Sequence, residues 1–337
     1  MRENDHGGDT YRYGKKIIDL SANIAPIGAP PEVIRAFAEA DISQYPDPYS
    51  TRLRRAIAER TGADAENIIC GSGAASLIYT LAAYIKPRLT LAAAPSFSEY
   101  ERAARSAGSE IIYYGEADGA NKYITDGTDL VFICVPNNPT GTLTEHGRVE
   151  ETIVKAAEHG ALVVVDECFN DFLDEPERYT VLGLTEKYDN LAVLRSFTKM
   201  YAMPGLRLGY MVCSNARLLD GMYSCRQPWE LSAPAEAAGI AACAAAGHAE
   251  KVRGYVRRER GYLTREFERL GIEYKKPSAN FIFFHHRPGL KERLLSRGIL
   301  IRACGNYRGL DGTAYRTAVK THEENVMLIR ALEDENG

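Results

Sequence analysis

Two side chains that could do acid, base or nucleophilic chemistry follow buried apolar runs, at a spacing of 33 residues. Asp166 comes directly after the apolar run 161–165, and Lys199 comes shortly after the run 191–195. A carboxylate at the tip of a buried strand must be paired or hydrogen-bonded, because burying it bare is costly. A lysine desolvated near other cations loses its proton more readily and can act as a Schiff-base nucleophile. A structural ion pair and a solvated surface lysine are the plainer interpretations of each residue alone.

Two loops and one arginine could bind anions near these residues. The segment Gly-Ser-Gly at 71–73 lies between a predicted strand and a predicted helix, where backbone N–H groups can hold a phosphate. The loop Pro-Asn-Asn-Pro-Thr-Gly at 136–141 follows an apolar run, at the sheet edge where α/β proteins bind ligands. Arg207 lies eight residues beyond Lys199 and could bind a phosphate. Ordinary turn chemistry explains either loop taken alone.

The elements that must position these residues alternate between strand and helix. Apolar runs predict strands at 68–70, 90–93, 111–114, 130–135, 161–165, 191–195 and 208–212. Segments between and before them predict helices at 31–40, 50–60, 73–85, 97–107 and 144–159. This alternation predicts an α/β fold with a mainly parallel sheet between helices.

The pattern changes beyond residue 220. Helices are predicted at 233–246 and 249–270, followed by a smaller α+β unit with strands at 281–285, 300–302 and 315–319 and helices at 290–297 and from 322. We therefore expect an N-terminal segment (1–40) packed on both other parts, a large α/β domain (41–245) and a small C-terminal α+β domain (246–337). A solvated face of the helix 249–270 is expected to carry Arg253, Arg257, Arg258 and Arg260.

Composition excludes several classes of protein. The 337 residues are 45% hydrophobic and 26% charged, which is ordinary for a globular protein and rules out disorder as the main state. Because 41 Lys and Arg face 45 Asp and Glu, the net charge of −4 offers no general attraction to nucleic acid or anionic membranes. No apolar run approaches the roughly 18–20 residues of a membrane span, and residues 1–14 lack a signal-peptide core. The seven cysteines show no metal-ligand spacing, so we expect a cytoplasmic enzyme without a metal site.

The motifs taken in order resemble the fold-type-I pyridoxal-phosphate (PLP) enzymes, the large aminotransferase superfamily, over essentially the whole chain. The most specific segment is Ser-Phe-Thr-Lys-Met-Tyr-Ala-Met-Pro-Gly-Leu-Arg-Leu-Gly at 196–209. The resemblance implies that Lys199 holds PLP covalently and later moves a proton, and that Asp166 pairs with the ring nitrogen. It implies further cofactor contacts from Gly73, Ala74, Phe97, Asn138, Ser196, Thr198 and Arg207.

Two features of the resemblance concern the oligomer and the reaction. Tyr45 resembles the tyrosine that reaches the phosphate held by a partner subunit, which implies a homodimer whose sites are completed across the interface. Most aminotransferases carry Asp-x-x-Tyr where this chain has Asp-Glu-Cys-Phe at 166–169. Phe169 therefore lacks a hydroxyl that would touch the phenolic oxygen of PLP, and this departure weighs against transamination.

Peripheral segments narrow the resemblance. They are similar to the threonine-phosphate decarboxylases of cobalamin biosynthesis, which are relatives of the histidinol-phosphate aminotransferases. The segments are His-Gly-Gly-Asp at 6–9, Ser-Ala-Asn-Ile at 21–24, Phe-Ser-Glu-Tyr at 97–100, Gln-Pro-Trp at 227–229 and Ile-Arg-Ala-Cys-Gly-Asn-Tyr at 301–307. This similarity implies decarboxylation of L-threonine O-3-phosphate, or of O-phospho-L-serine, to an amine phosphate and CO2 for the linker of the cobamide nucleotide loop. Ser232 stands where that family leads us to expect Asn.

A phospho-amino acid carries two anions and needs two separate cationic contacts. Arg302 and Arg316 lie fourteen residues apart in predicted strands of the small domain. The resemblance assigns Arg316 to the α-carboxylate and Arg302 with His6 to the substrate phosphate, and places Asn23 and Asn138 at the substrate.

Two other functions fit the same residues. A histidinol-phosphate-type aminotransferase would use the same cofactor contacts and the same anion contacts. A PLP-binding regulator would use the fold as a sensor, but it would need an output module for which the chain offers no room.

Overall fold

The computed structural model of the protein describes residues 6–13 and 16–336, so part of the predicted N-terminal segment lies outside the described residues. Its strands, numbered β1 to β12 in chain order, are Ile18–Asp19, Ile68–Gly71, Leu89–Ala94, Glu110–Gly115, Leu130–Cys134, Leu162–Asp166, Leu191–Ser196, Gly209–Val212, Phe281–His285, Ile299–Leu300, Arg302–Ala303 and Ala314–Ala318. Its α-helices, numbered α1 to α12, are Pro31–Ala38, Thr51–Thr61, Ala74–Ile85, Ser98–Ser106, His146–Glu158, Pro176–Tyr179, Phe197–Met200, Ala216–Cys225, Ala233–Ala244, His248–Arg269, Leu290–Ser296 and His322–Asn336.

The central sheet has the strand order β2-β8-β7-β6-β5-β3-β4. Neighbouring strands are parallel except around β8, which is antiparallel to both β2 and β7. Helices α3 and α8 pack on one face of the sheet and α5 on the other. Every residue of β5 is buried, as expected for a strand covered on both faces. The predicted α/β fold with a mainly parallel sheet between helices is confirmed.

The direction of β8 follows from its short connection to β7. Parallel neighbours need a crossover of a dozen or more residues, usually through a helix that packs on the sheet. The link 197–208 contains only the four-residue helix α7 and a short 3-10 turn, so the chain returns along the same edge in the opposite direction.

The C-terminal part contains the antiparallel sheet β11-β12-β9 with helices α10 to α12, which confirms the predicted small α+β unit. The single strand predicted at 300–302 is wrong. Ile299–Leu300 pairs with β1, whereas Arg302–Ala303 pairs with β12, so the chain changes sheets at Ile301.

The N-terminal segment contacts both other parts of the chain within its described residues. Leu20 N–H donates to Leu300 O at 2.8 Å, and Ala25 N–H donates to Lys199 O at 3.0 Å. These two bonds hold residues 21–24 between strand β10 and helix α7, which carries Lys199. The bounds 40/41 and 245/246 of the expected domains stay predictions.

The prediction of a solvated arginine face on α10 is wrong for Arg260. This side chain is buried, donating from Nη1 to Ser278 O at 2.7 Å and from Nη2 to Asp174 at 2.9 Å. Arg257 donates to the same carboxylate at 2.9 Å. The helix therefore uses these arginines to bind the segment that follows β6.

No helix in residues 6–13 and 16–336 is long and apolar enough to cross a bilayer. Across the same residues, we find no group of three or more His, Cys, Asp or Glu side chains placed to hold a metal ion.

Candidate active site

The predicted chemistry-bearing residues meet at one edge of the central sheet. β5, β6 and β7 run parallel, so the residues that follow them emerge side by side. The N-terminus of α3 borders the same cavity. The predicted cofactor contacts that line this cavity are Gly73, Ala74, Phe97, Asn138, Asp166, Ser196, Thr198, Lys199 and Arg207.

Asp166 is buried and oriented by two hydrogen bonds. Its Oδ2 accepts from the Tyr100 hydroxyl at 2.6 Å, and its Oδ1 accepts from the Cys168 N–H at 2.9 Å. Burial, reinforced by the nearby carboxylate, raises the pKa of Tyr100 well above its usual value, so its hydroxyl keeps the proton it donates. A carboxylate held this way can accept a further hydrogen bond from a cationic N–H group in the cavity.

The alternative role for Asp166, a structural ion pair, is taken by the neighbouring residue Glu167. Glu167 is buried and lies 2.6 Å from Arg195, which also bonds Asp171 at 3.2 Å. Arg195 immediately precedes Ser196, so the pair ties the end of β6 to the end of β7. This pair fixes the relative position of Asp166 and the segment carrying Lys199.

Several donors converge where an anion would bind. Gly73 has φ +85°, a backbone conformation that residues with a Cβ rarely adopt, and a Cβ there would lie 2.8 Å from Arg207 Nη2. Ala74 begins α3 and offers the backbone N–H of a helix N-terminus. The hydroxyls of Ser196 and Thr198 lie 2.7 Å apart beside this turn. Backbone N–H groups, two hydroxyls and a guanidinium are the donor set that suits a phosphate monoester.

Lys199 projects its amine toward an aromatic ring. Nζ lies 5.4 Å from the centroid of Phe169, which packs edge-on against Phe281 of the C-terminal sheet at 5.1 Å. Phe169 therefore joins the two parts of the chain at the point where Lys199 enters the cavity. Because it carries no hydroxyl, it cannot hydrogen-bond a group bound there.

A wider cleft adjoins the cavity and contains the predicted substrate residues His6, Asn23, Arg302 and Arg316 together with Lys199. Arg302 and Arg316 are directly opposite each other on β11 and β12. They are only 9% and 5% exposed. Like charges at opposed positions of a sheet destabilise it, so an anion bound between or beside them would relieve this repulsion.

Arg316 links the cleft to the cofactor cavity. Its Nη1 donates to Asn138 Oδ1, and its Nη2 donates to Ser21 O at 2.7 Å. Among the described residues, its buried Nε has no hydrogen-bond partner. Asn138 thus accepts from Arg316 with its side-chain oxygen and lines both the cavity and the cleft. Arg302 is held differently, by Asn306 Oδ1 at 2.8 Å from Nη2.

The N-terminal segment supplies two further polar groups to the cleft. Asn23 is buried, and its Oδ1 has no hydrogen-bond partner in the described part of the chain. His6 Nε2 lies 2.8 Å from Glu99, which also accepts from the Tyr79 hydroxyl at 2.7 Å. Burial raises the pKa of Glu99, but bonds from His6 and Tyr79 outweigh it and leave that pKa below its usual value. Glu99 therefore adds an anion to the cleft that also contains Arg302 and Arg316.

Tyr45 lies apart from the other predicted site residues. Its side chain is 79% exposed and stacks on Trp229 with ring centroids 4.4 Å apart. It lines neither of the two cavities of its own chain. Its assignment to the cofactor of a partner subunit stays a prediction.

Sequence reasoning missed the roles of Glu99 and Tyr100. Both belong to the motif Phe-Ser-Glu-Tyr at 97–100, which signalled a subgroup without assigning a task to either residue. In the first turn of α4, Glu99 contacts His6 while Tyr100 contacts Asp166. The sequence signal for these roles was that Glu99 and Tyr100 lie within one helix turn of Phe97, a predicted contact of the cofactor ring.

Comparison with known proteins shows which protein family this chain resembles in sequence and in structure. The profile of the family "Aminotransferase class I and II" matches residues 15–332. A threonine-phosphate decarboxylase of Salmonella typhimurium is 33% identical to this chain, covering 94% of the chain and 90% of its own length. A histidinol-phosphate aminotransferase of Moorella thermoacetica is also 33% identical, covering 95% and 86%. The solved histidinol-phosphate aminotransferase from Clostridium acetobutylicum is similar with a TM-score of 0.89 and 28% identity, covering 95% of this chain and 99% of its own.

Proposed function

This chain belongs to the class I and II aminotransferase family, and on that premise we propose that it decarboxylates a phospho-amino acid. PLP is the cofactor of the family. The proposed substrate is L-threonine O-3-phosphate or O-phospho-L-serine. The bond between Cα and the carboxylate breaks, CO2 leaves, and a proton takes its place on Cα to give an amine phosphate. From L-threonine O-3-phosphate, this product would serve as the linker of the cobamide nucleotide loop.

The residues around the cavity fit PLP. The space left by the missing Cβ of Gly73, facing Arg207, suits the cofactor phosphate, with Ala74 N–H, Ser196 and Thr198 as further donors. When bound, PLP supplies an electron sink for the electron pair released at Cα. Phe97 lines the cavity where an aromatic ring would stack on the cofactor.

Asp166 and Asn138 would orient the ring. Asp166, already held by Tyr100 and by the Cys168 N–H, has acceptor capacity left for the ring N–H. Its charge favours the cationic form of that nitrogen. Asn138 would donate its amide N–H to the phenolic oxygen while its own oxygen is occupied by Arg316.

Lys199 would bind the cofactor covalently and later deliver the proton to Cα from the amine. Phe169 beside it excludes water and adds no competing hydroxyl at this position. Of the residues that line the cavity, Lys199 would be the group that moves a proton at Cα.

The proposal of a phospho-amino acid as substrate depends on one observation, the opposed positions of Arg302 and Arg316. Two buried cations on one sheet face are best explained by a substrate with two anions. Arg316, bonded to Asn138, lies nearer the cofactor and would take the α-carboxylate, whereas Arg302 with His6 would take the phosphate. Asn23, with its unpartnered buried oxygen, would accept from the substrate amine or hydroxyl.

A histidinol-phosphate-type aminotransferase is the second candidate. It is favoured by the 33% identity to the Moorella thermoacetica enzyme, which equals the identity to the Salmonella typhimurium decarboxylase. The two reactions differ in which Cα bond stands perpendicular to the ring, and Arg302 and Arg316 could impose either pose. Phe169 in place of tyrosine is the feature that favours decarboxylation.

One experiment separates the two reactions. The purified enzyme is incubated with carboxyl-labelled L-threonine O-3-phosphate or O-phospho-L-serine, with and without 2-oxoglutarate. Labelled CO2 and an amine phosphate, formed independently of the keto acid, support the decarboxylase. Glutamate formed while the label stays on the organic product would overturn the proposal and favour the aminotransferase.

We also propose that the active form is a homodimer acting in the cytoplasm, without nucleic acid or membrane partners. The exposed Tyr45–Trp229 stack supports the dimer, since aromatic surface of this kind is enriched at protein interfaces. A sedimentation measurement on the PLP-loaded protein tests the oligomeric state.

A further inference from the structure

A largely buried carboxylate, Glu116, holds the loop 136–141 without lining either cavity described above. Its Oε1 accepts from Asn137 Nδ2 at 2.6 Å and also from the Thr140 hydroxyl. Its Oε2 accepts from the Thr142 hydroxyl at 3.1 Å and from Lys275 Nζ at 3.0 Å. One carboxylate thus takes hydrogen bonds from three side chains of a single loop region and from a lysine of the C-terminal part.

Asn137 connects Glu116 to a second strand end. Its Oδ1 accepts from the Ser96 hydroxyl at 2.8 Å, while its Nδ2 donates to Glu116. Ser96 follows β3, Glu116 follows β4, and Asn137 follows β5, so three adjacent strands are tied at one edge. The residues after Ser96 and Asn137 are Phe97 and Asn138, and both of these line the cofactor cavity.

Lys275 brings the C-terminal sheet into this network. Its backbone N–H donates to Phe283 O at 2.9 Å, which fixes it beside β9. Ser278, three residues on, donates its hydroxyl to Gly141 O at 2.5 Å. The loop that carries Asn138 is therefore held by the large sheet on one side and by the C-terminal part on the other.

We propose that Glu116 is a positioning residue for the cofactor ring. It lines neither cavity; it fixes Asn137 and would thereby set the directions in which Asn138 and Phe97 face the ring. Its pair with Lys275 makes this placement depend on the position of the C-terminal part. A hydrogen bond weakens steeply when its donor turns away from the acceptor, so a small rotation of the loop changes the contact of Asn138. The inference rests on the PLP site of the proposed function and is independent of which Cα bond breaks.

The test compares three variants as substrate-free holoenzymes. Glu116→Gln keeps the size of the side chain but removes the charge and one acceptor. Lys275→Met removes the bond from Lys275 to Glu116 and leaves the bond from Ser278 to Gly141 in place. Glu150→Gln is the matched control, because Glu150 also accepts from a lysine and a tyrosine, at 2.9 Å each, and lines neither cavity. For each variant we measure the PLP dissociation constant by equilibrium dialysis and the pH midpoint of the visible cofactor band, with Tm as the measure of folding.

We expect Glu116→Gln to raise the PLP dissociation constant about tenfold, the lower end of the effect of removing a partner that orients a direct ligand. The pH midpoint should move, and Lys275→Met should move it in the same direction by less. The inference is overturned if both midpoints match that of Glu150→Gln, even where Tm falls. If Glu116→Gln does not fold, an unchanged midpoint in Lys275→Met overturns it alone. A moved midpoint in a protein that does not decarboxylate supports the inference while refuting the proposed reaction.

Discussion

The proposed role of Lys199 as the cofactor lysine depends on how its short helix is held. Its backbone oxygen accepts from Ala25 N–H at 3.0 Å and from Ala202 N–H at 3.2 Å, so the turn is fixed by the N-terminal segment and by its own chain. Its side chain then extends to the ring of Phe169 at the floor of the cavity. Because its backbone is fixed by these bonds, the side chain of Lys199 enters the cavity from one defined point.

We therefore expect borohydride reduction of the PLP-loaded protein to fix the cofactor on Lys199. The reagent converts a Schiff base into a stable secondary amine, so the pyridoxyl mass should appear on one peptide in mass spectrometry. Lys199→Ala treated in the same way is the control and should carry no adduct. An adduct found on a different lysine of the wild-type protein would end this assignment.

The charge of Asp166 should matter more than its shape. Asp166→Asn preserves size and can still bond Tyr100, but it no longer favours a proton on the ring nitrogen. We expect PLP to be retained while kcat falls by a factor of about 100 or more, the order of effect seen when a fixed electrostatic partner is removed. The PLP content and kcat are measured on the same preparation. A kcat within a fewfold of wild type would show that Asp166 is only structural.

Arg302 should be selective for the phosphorylated end of the substrate. Removing one member of a buried charge-assisted pair costs roughly 2–5 kcal/mol, so Arg302→Ala should lower kcat/KM for the phospho-amino acid by about that free energy. The unphosphorylated amino acid should be affected little. Arg308→Ala is the control. Arg308 is half-exposed, lies 3.3 Å from Glu101 and does not line the cleft. If kcat/KM falls equally for both substrates, Arg302 does not bind the phosphate, and His6 becomes the candidate for that contact.

Residue roles were predictable where sequence neighbours fixed them. Asp166 and Lys199 each follow a recognisable strand, so their meeting follows from the parallel sheet. The contacts of Tyr100 with Asp166 and of Asn137 with Glu116 span 66 and 21 residues. No local pattern encodes such contacts, because they depend on the distance between elements that only the packed fold determines.

Elements were predictable where side-chain pattern alone decides the structure. Strands β5 to β7 are apolar over most of their length, and their burial explains the pattern. Helix α8 was missed, because Gly221 lies inside it and lowers its helix propensity. A Cβ at Gly221 would lie 1.9 Å from Tyr84 Cζ, so the glycine is required by packing against α3. Helix α8 is therefore decided by tertiary contact.

The contact between α10 and Asp174 provides a test at the scale of elements. Burial raises the pKa of Asp174, but hydrogen bonds and charge from Arg257 and Arg260 outweigh it, so the folded-state pKa lies below the ordinary 3.8. A carboxyl with a lowered folded-state pKa stabilises the fold above its unfolded-state pKa. That stabilisation is lost as the pH falls through the folded-state value.

We expect Asp174→Asn to lower the free energy of unfolding at pH 7 by about 1 kcal/mol. The side chain is 46% exposed, so solvent screening keeps the effect small. The difference from wild type should shrink as the pH falls below 4, because Asp174 is then protonated first in the unfolded state and, below its lowered folded-state pKa, in the folded state as well. Urea unfolding at pH 7 and at pH 3 measures this difference in unfolding free energy. The control is Asp118→Asn, which removes an exposed ion pair with Lys122. A difference that stays constant with pH would contradict the ionic explanation.

At the scale of the whole molecule, the chain presents an aromatic surface outside its own active site. Tyr45, Tyr49 and Trp229 are all exposed, and Tyr45 and Trp229 stack on each other. Arg226 donates to Pro48 O at 3.0 Å and to Cys70 O at 2.9 Å, which anchors this loop to β2 at the edge of the central sheet. An exposed aromatic side chain on an anchored loop is suited to pack against a second subunit.

If Tyr45 completes the site of a partner subunit, two variants that each lack activity at limiting PLP should restore each other. Tyr45→Phe lacks the hydroxyl but keeps the ring on Trp229, and Lys199→Ala lacks the catalytic amine. In a hybrid dimer, one site combines the intact Lys199 of the first subunit with the intact Tyr45 of the second. Random reassortment makes about half of the dimers hybrid with one intact site in two, so about a quarter of wild-type activity should return.

The measurement is decarboxylation at limiting PLP after the two variants are mixed, unfolded and refolded together. The limiting concentration matters because a missing phosphate contact weakens PLP binding and is hidden by excess cofactor. Tyr49→Phe mixed with Lys199→Ala is the control: Tyr49 lies on the same loop, and loss of its hydroxyl should leave every Lys199-bearing site active, giving about half of wild-type activity. If the Tyr45→Phe mixture shows only the summed activities of the separate proteins, each subunit completes its own site. The exposed Tyr45–Trp229 stack then needs another explanation.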